Sequence, residues 1–176
     1  IVQLPLPMHI SEEKVKLAID PKKDLDGFNV LSKFKSATPN GILTFLEDNH
    51  YEFEGKNALV IGRSNIVGKP MAKLLLDKNM TVTIAHSKTQ NSELRNFVKN
   101  SDLIIVAVGK ANFIDCSYEF KKSAFLFDVG INRDKDNKLT GDCEKDLPVS
   151  FQSPVPGGVG LLTRLALLLN LMEACE

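Results

Sequence analysis

A doubly wound α/β fold is what this sequence predicts, on three observations. Four runs, NALVI (57–61), TVTIA (81–85), LIIVAV (103–108) and AFLFDV (124–129), are apolar and rich in β-branched residues, as parallel strands covered on both faces require. Helix-patterned stretches alternate with them: Pro70 to Lys78, with Met71, Leu74 and Leu75 on one side, and Ser92 to Lys99. A turn carrying two glycines, GRSNIVGKPM from Gly62 to Met71, follows the first run. In such a Rossmann-like parallel sheet the ligand sits at the carboxyl ends of the strands.

The flanking elements are read in order. Ile1 to Leu4 reads as a short buried strand broken by Pro5 and Pro7. Ser11-Glu12-Glu13 caps a helix carrying Val15, Leu17 and Ile19, and DPKKDLDGFN follows as a loop. Thr38-Pro39 is expected as an N-cap with proline at the first helical position, opening a helix through Leu46. The last helix, Leu161 to Ala174, is apolar nearly all round and is expected to be buried, packed against the leading segment.

Composition excludes several classes. The 176 residues are 43% hydrophobic and 25% charged, enough for one core plus a small second lobe. Lysine plus arginine equals aspartate plus glutamate at 22 each, which gives bulk electrostatics no reason to bring in a nucleic acid or an anionic membrane. No apolar run approaches the roughly 18 to 20 residues of a membrane span, so the expected compartment is the cytosol or an organelle matrix. Cys116, Cys143 and Cys175 are odd in number and widely spaced, hence reduced thiols. His9, His50 and His86 show no ligand spacing, and no metal is expected. The opening on IVQLPLP without methionine leads to the expectation that residues precede Ile1.

The glycines of the turn stand at G-x-x-x-x-x-G rather than G-x-G-x-x-G. Gly62 ends the first strand where the chain must turn beside a ligand. Gly68 falls in the first helical turn, where a missing Cβ allows close approach and backbone N–H groups face an anion. The second strand sharpens the expectation. An NAD site carries a carboxylate at the end of that strand for the ribose 2′-hydroxyl, but here TVTIA runs into His86-Ser87-Lys88. Arg63 with Ser87, and with Lys88 beside them, suits a 2′-phosphate instead, so the expected cofactor is NADP.

Four segments, VQLPLP (2–7), KDLDGF (23–28), GRSNIVGKPM (62–71) and PVPGGVG (154–160), supported by HSKT (86–89) and DVGIN (128–132), resemble the bifunctional methylenetetrahydrofolate dehydrogenase/methenyltetrahydrofolate cyclohydrolase family. The resemblance runs across essentially the whole chain. It implies NADP-dependent oxidation of 5,10-methylenetetrahydrofolate to the methenyl form, hydrolysis to 10-formyltetrahydrofolate, and a homodimer. It also implies three parts: residues 1–37 as the remainder of a smaller α/β substrate domain, 38–153 as the NADP-binding domain, and 154–176 as a segment and helix returning to the first.

Carried over by motif, Asp26 would accept from the amino edge of the pterin, and Gln3 would lie beside the catalytic lysine. Pro5 would shape the substrate wall, and Gly158 and Gly160 would let the backbone approach the nicotinamide and substrate closely. The implied cofactor set is Gly62, Arg63, Ser64, Ile66, Ser87, Gly109, Ile131 and Thr163.

The sequence departs from that pattern in places. The family's catalytic lysine and partner tyrosine lie upstream of VQLPLP and are not in this sequence, so the alternative expectation is an NADP-binding fragment without cyclohydrolase activity. Tyr118-Glu119-Phe120-Lys121-Lys122 offers a Y-x-x-x-K, but in a charged segment expected to be solvated between the third and fourth strands, and it is not given that role. The stretch from Phe28 to Thr38 is shorter than the family loop, Leu161 stands where proline is usual, and Arg164 has no physical account from sequence. A shikimate-type dehydrogenase would share the architecture but neither VQLPLP nor PGGVG.

Overall fold

Apolar side chains on both faces of the strands put the sheet in the middle of the protein. The computed structural model describes residues 1–4, 6–29 and 31–175. Its helices are α1 (Glu12–Ala18), α2 (Ala37–Asp48), α3 (Gly68–Asp77), α4 (Asn91–Asn100) and α5 (Val159–Ala174). Its strands are β1 (Asn57–Ile61), β2 (Thr81–Ala85), β3 (Leu103–Val106), β4 (Phe125–Asp128), β5 (Asn132–Arg133), β6 (Leu139–Thr140) and β7 (Phe151–Gln152). Five strands form a parallel sheet in the order β2-β1-β3-β4-β7, and β5 with β6 makes a small antiparallel ladder. Because β1 lies between β2 and β3, the winding reverses there and leaves a crevice beyond their carboxyl ends.

Alternation along the strands divides the core into two layers. Ala58, Val60, Leu103, Ile105 and Phe127 face Ile42 and Leu46 of α2 and Met71 and Leu75 of α3. Leu59, Ile61, Ile104, Val106 and Leu126 face Leu94 and Val98 of α4, with Ile114 and Tyr118. On the first face Phe45, Phe127 and Phe151 stack, with centroids 5.2 to 5.6 Å apart.

The leading and trailing segments correct the sequence expectations. Ile1 to Leu4 forms no strand, and Ile1 is 75% exposed, since a strand needs a neighbouring edge and none of the described strands pairs with it. α1 is capped as expected, Ser11 Oγ accepting from Lys14 N at 3.3 Å, yet it buries none of its residues. α2 begins at Ala37, its N-cap is Ser36 rather than Thr38, and Pro39 sits in the first turn, where its missing N–H costs nothing. The third and fourth runs are trimmed at their ends, and β5, β6 and β7 were not anticipated, each being two residues long, too short to carry a period.

α5 starts at Val159 and is not buried all round: among its described residues only Val159, Ala166 and Asn170 are buried, while Leu161 is 50% and Leu168 59% exposed. One face packs on α2, and Asn170 Nδ2 donates to Leu25 O at 2.8 Å and Lys35 O at 3.1 Å. An all-apolar helix permits burial on every side but does not supply the partners. Tyr118, expected in a solvated segment, is buried in the α4-side core with the Arg95 guanidinium 4.5 Å over its ring.

Candidate functional site

The turn after β1 is built around absent side chains. Gly62 has φ +127, and a Cβ there would overlap the carbonyl of Ala107 at the end of β3; a Cβ on Gly68 would overlap the carbonyl of Gly62. The two glycines therefore let α3 start directly against the ends of β1 and β3. Ser64 Oγ accepts from Val67 N at 3.1 Å and Gly68 N at 3.3 Å, supplying the cap that the N-cap Val67 cannot. These two amides are thus not free to face an anion, but the Ser64 hydroxyl keeps its own proton to donate. Ile66 is half-buried, and its carbonyl accepts from Ser36 Oγ at 2.6 Å.

Register sets the carboxyl ends of β1 and β2 side by side. Ile61 pairs with Ala85 in the parallel β1/β2 ladder, and Gly62 N donates to Ala85 O at 2.9 Å. Arg63 and Ser87, each two residues further on, lie in the turns that follow the carboxyl ends of these neighbouring strands, and both are exposed. No carboxylate pairs with Arg63 among the described residues. The Ser87 turn is fixed by His86 N donating to Thr89 Oγ1 at 2.9 Å and Lys88 N to His86 Nδ1 at 3.1 Å.

The loop after β3 shows residues that sequence reading missed. Asp142 is fully buried. Its Oδ2 accepts from Val108 N at 2.7 Å and Gly109 N at 2.9 Å, and its Oδ1 from Lys110 N at 2.8 Å and Asn132 Nδ2 at 2.9 Å. Three successive amides, with Gly109 at φ +66, make an anion-binding concavity that the protein fills with its own carboxylate. Gly109 is exposed, and a Cβ there would meet nothing within 4 Å.

Asp128, at the end of β4, accepts from Gly130 N at 3.0 Å and Asp142 N at 2.9 Å through Oδ1, and from Cys143 N at 2.9 Å through Oδ2. Burial pushes its carboxyl above the usual range, those N–H groups oppose the rise, and the Asp142 charge adds to it. Burial, with the neighbouring Asp128 and Asp142 charges, pushes the Cys143 thiol far up, so it is inert. Asp128 itself was signalled only by its place in DVGIN, and Asp142 carried no signal of its own.

A cavity of about 270 Å³ opens beyond β4, lined by Gly130, Ile131, Gly158, Gly160, Leu161 and Arg164 among others. Ile131 is 68% exposed at its rim, and Gly158 is the N-cap of α5. Arg164, unexplained by sequence, belongs to this wall. Thr163 faces α2: its Oγ1 lies 2.9 Å from Thr38 Oγ1 and donates to Val159 O at 3.0 Å.

Asp26 is 6% exposed and accepts from Val2 N at 2.7 Å, which places VQLPLP and KDLDGF side by side. Burial pushes its carboxyl up, the Val2 amide opposes this, and the Asp24 charge adds to the rise. Gln3 is exposed, its amide donating to Leu4 O at 2.9 Å. Pro5 lies outside the described residues.

The fold recurs in known proteins. Residues 36–176 match the family described as Tetrahydrofolate dehydrogenase/cyclohydrolase, NAD(P)-binding domain. The chain belongs to that family. Its tetrahydrofolate dehydrogenase/cyclohydrolase relatives include the bifunctional protein FolD of Streptococcus suis (strain 05ZYH33), 50% identical over 187 residues that cover 99% of this chain and 65% of the relative. That of Agathobacter rectalis is 50% identical over 100% of this chain and 66% of the relative. The solved bifunctional FolD of Campylobacter jejuni superposes with a TM-score of 0.91 at 38% identity, over 98% of this chain and 64% of that one. The Trypanosoma brucei enzyme, solved with NADP cofactor and an inhibitor, gives 0.88 at 31% identity over 99% and 65%. The chain thus spans about 65% of the length of curated relatives such as the S. suis protein. Among the described residues no helix is long and apolar enough to cross a membrane.

Proposed function

We propose that this chain provides the NADP-binding and pterin-facing part of a methylenetetrahydrofolate dehydrogenase/cyclohydrolase, which oxidises 5,10-methylenetetrahydrofolate and hydrolyses the methenyl product to 10-formyltetrahydrofolate. The observation that carries the reading is the pair of turns beyond the adjacent ends of β1 and β2, which carry the exposed Arg63 and Ser87 and in which no carboxylate pairs with Arg63 among the described residues. When bound, NADP supplies the hydride acceptor.

In this reading Gly62, Ser64, Ile66 and Gly109 shape the crevice, Arg63 and Ser87 donate to the 2′-phosphate, and Ile131 and Thr163 border the nicotinamide end. Gly158 and Gly160 line the wall of the folate cavity, with Pro5 and Gln3 on its amino-terminal side and Asp26 receiving the pterin amino edge. Residues 1–37, 38–153 and 154–176 act as substrate-side remainder, dinucleotide unit and returning helix, the last supported by the Asn170 bonds to Leu25 and Lys35. The reading includes a homodimer, which sedimentation equilibrium tests.

A second reading, dinucleotide binding without cyclohydrolase turnover, is favoured by one observation: among the described residues no lysine bonds to or pairs with Gln3 or Asp26. Oxidation of the one-carbon bridge needs mainly positioning, whereas hydrolysis needs a group that handles protons near neutral pH. The test follows NADPH absorbance with 5,10-methylenetetrahydrofolate and NADP, then loss of the methenyl absorbance. NADPH formation with NADP and much less with NAD supports the first reading. Dinucleotide binding with neither activity leaves the second.

A further inference from the structure

Ser36 is a helix N-cap that does not cap. A serine at this position ordinarily turns its Oγ to an amide in the first turn of its own helix. Here no side-chain cap bond is made to α2, and the hydroxyl instead donates to Ile66 O at 2.6 Å, thirty residues further along. Ser36 is 7% exposed, so the bond is shielded from water. A residue that gives up a local interaction for a distant one marks a place where another demand has overridden local stability.

Ser36 touches two turns at once. Ile66 immediately precedes the N-cap Val67 of α3, and its carbonyl direction sets how the Ser64 to Val67 stretch enters the helix. On the other side, Ala37 N donates to Asp26 O at 3.2 Å, and Gly27, at φ +67, lies so close that a Cβ would sit 2.6 Å from Ser36 N.

We propose that Ser36 is a positioning residue for the dinucleotide turn, clamping the Ile66 carbonyl and holding the Ser64–Gly68 segment against the turn that carries Asp26. This rests on the reading that residues 62–68 receive the dinucleotide. Without the hydroxyl, the Ile66 carbonyl loses its donor and the turn samples other orientations, while the two core layers are untouched.

The experiment compares this chain with Ser36→Ala and Ser36→Thr by amide hydrogen exchange and by fluorescence titration with NADPH. In Ser36→Ala, amides of residues 64–69 are expected to exchange about tenfold faster while those of β1 and β3 are unchanged, since the opening is local. The NADPH Kd is expected to rise about five- to tenfold, as loss of one shielded hydrogen bond implies, and the threonine hydroxyl to restore most of both. Unchanged exchange in the turn overturns the proposal, and so does faster exchange with an unchanged NADPH Kd. An unmodified chain that binds no NADPH removes the functional reading instead, while the exchange comparison still decides whether Ser36 holds the turn.

Discussion

Replacing Asp142 by asparagine tests the internal filling of the concavity after β3. The carboxylate takes four donors, two on each oxygen, at 2.7 to 2.9 Å. Asparagine keeps the shape but presents one oxygen and one NH2, so in either orientation two donors face another donor. A buried donor left unpaired costs about 1–3 kcal/mol, which for two gives roughly 2–6. Gly109 and Lys110 are exposed, so water can reach part of the loop, and we place the loss at about 3 kcal/mol. For a domain of this size that is a fall in Tm of about 6–12 °C. Circular dichroism with heat and with urea reads the loss, and amide exchange at residues 108–110 locates it. A loss below about 1 kcal/mol with unchanged exchange would refute the argument that this carboxylate holds the loop.

Arg63→Ala should weaken NADP binding by about 1.5–3 kcal/mol and leave NAD nearly unaffected, as calorimetry of both cofactors will show; equal losses would remove Arg63 from the 2′-phosphate. Gly62→Ala combines a φ of +127 with overlap onto the Ala107 carbonyl, and should cost about 2–4 kcal/mol in urea unfolding, from backbone strain and overpacking together. Tyr51 has a buried hydroxyl without a partner among the described residues, and burial, with the Asp102 charge, pushes its phenol up from 10.0 to about 12. A raised phenol contributes stability that is present below pH 10.0 and lost as pH climbs through about 12. Tyr51→Phe should therefore match or exceed the unmodified chain by up to about 1 kcal/mol at pH 7 and flatten that alkaline decline. A clear loss at pH 7 would mean the hydroxyl is partnered.

The sequence carried much of the fold because the strand pattern is dense. NALVI and TVTIA become β1 and β2 residue for residue, but only β1 is covered on both faces; β2 is the edge of the sheet, with Thr81 and Ile84 exposed. α3 and α4 appear near their expected bounds. Where the pattern is thin, the reading failed. Ile1 to Leu4 is apolar enough for a strand but finds no edge, and α5 is apolar enough for full burial but packs mainly on α2. Composition reports what a segment tolerates, not which neighbour arrives.

The candidate site divides along the same line. Arg63 and Ser87 were readable as residues that follow the carboxyl ends of two neighbouring parallel strands, Ile61 pairing with Ala85 in the ladder. Asp128, Asp142 and Ser36 were not, because their partners are main-chain N–H and C=O groups, which every residue but proline carries alike. Their trace in sequence lies in the glycines that give them room. Gly130 sits where a Cβ would strike the Asp142 carboxylate, Gly141 where it would strike that of Asp128, and Gly27 against Ser36 N. At Gly130 and Gly141, neither at a positive φ, the missing Cβ makes room for a buried carboxylate, whereas at Gly41, Gly68 and Gly158 it makes room for a main-chain carbonyl. Gly130 and Gly141 thus mark the two buried acids, Asp142 that holds the loop after β3 and Asp128 that holds Asp142 and Cys143.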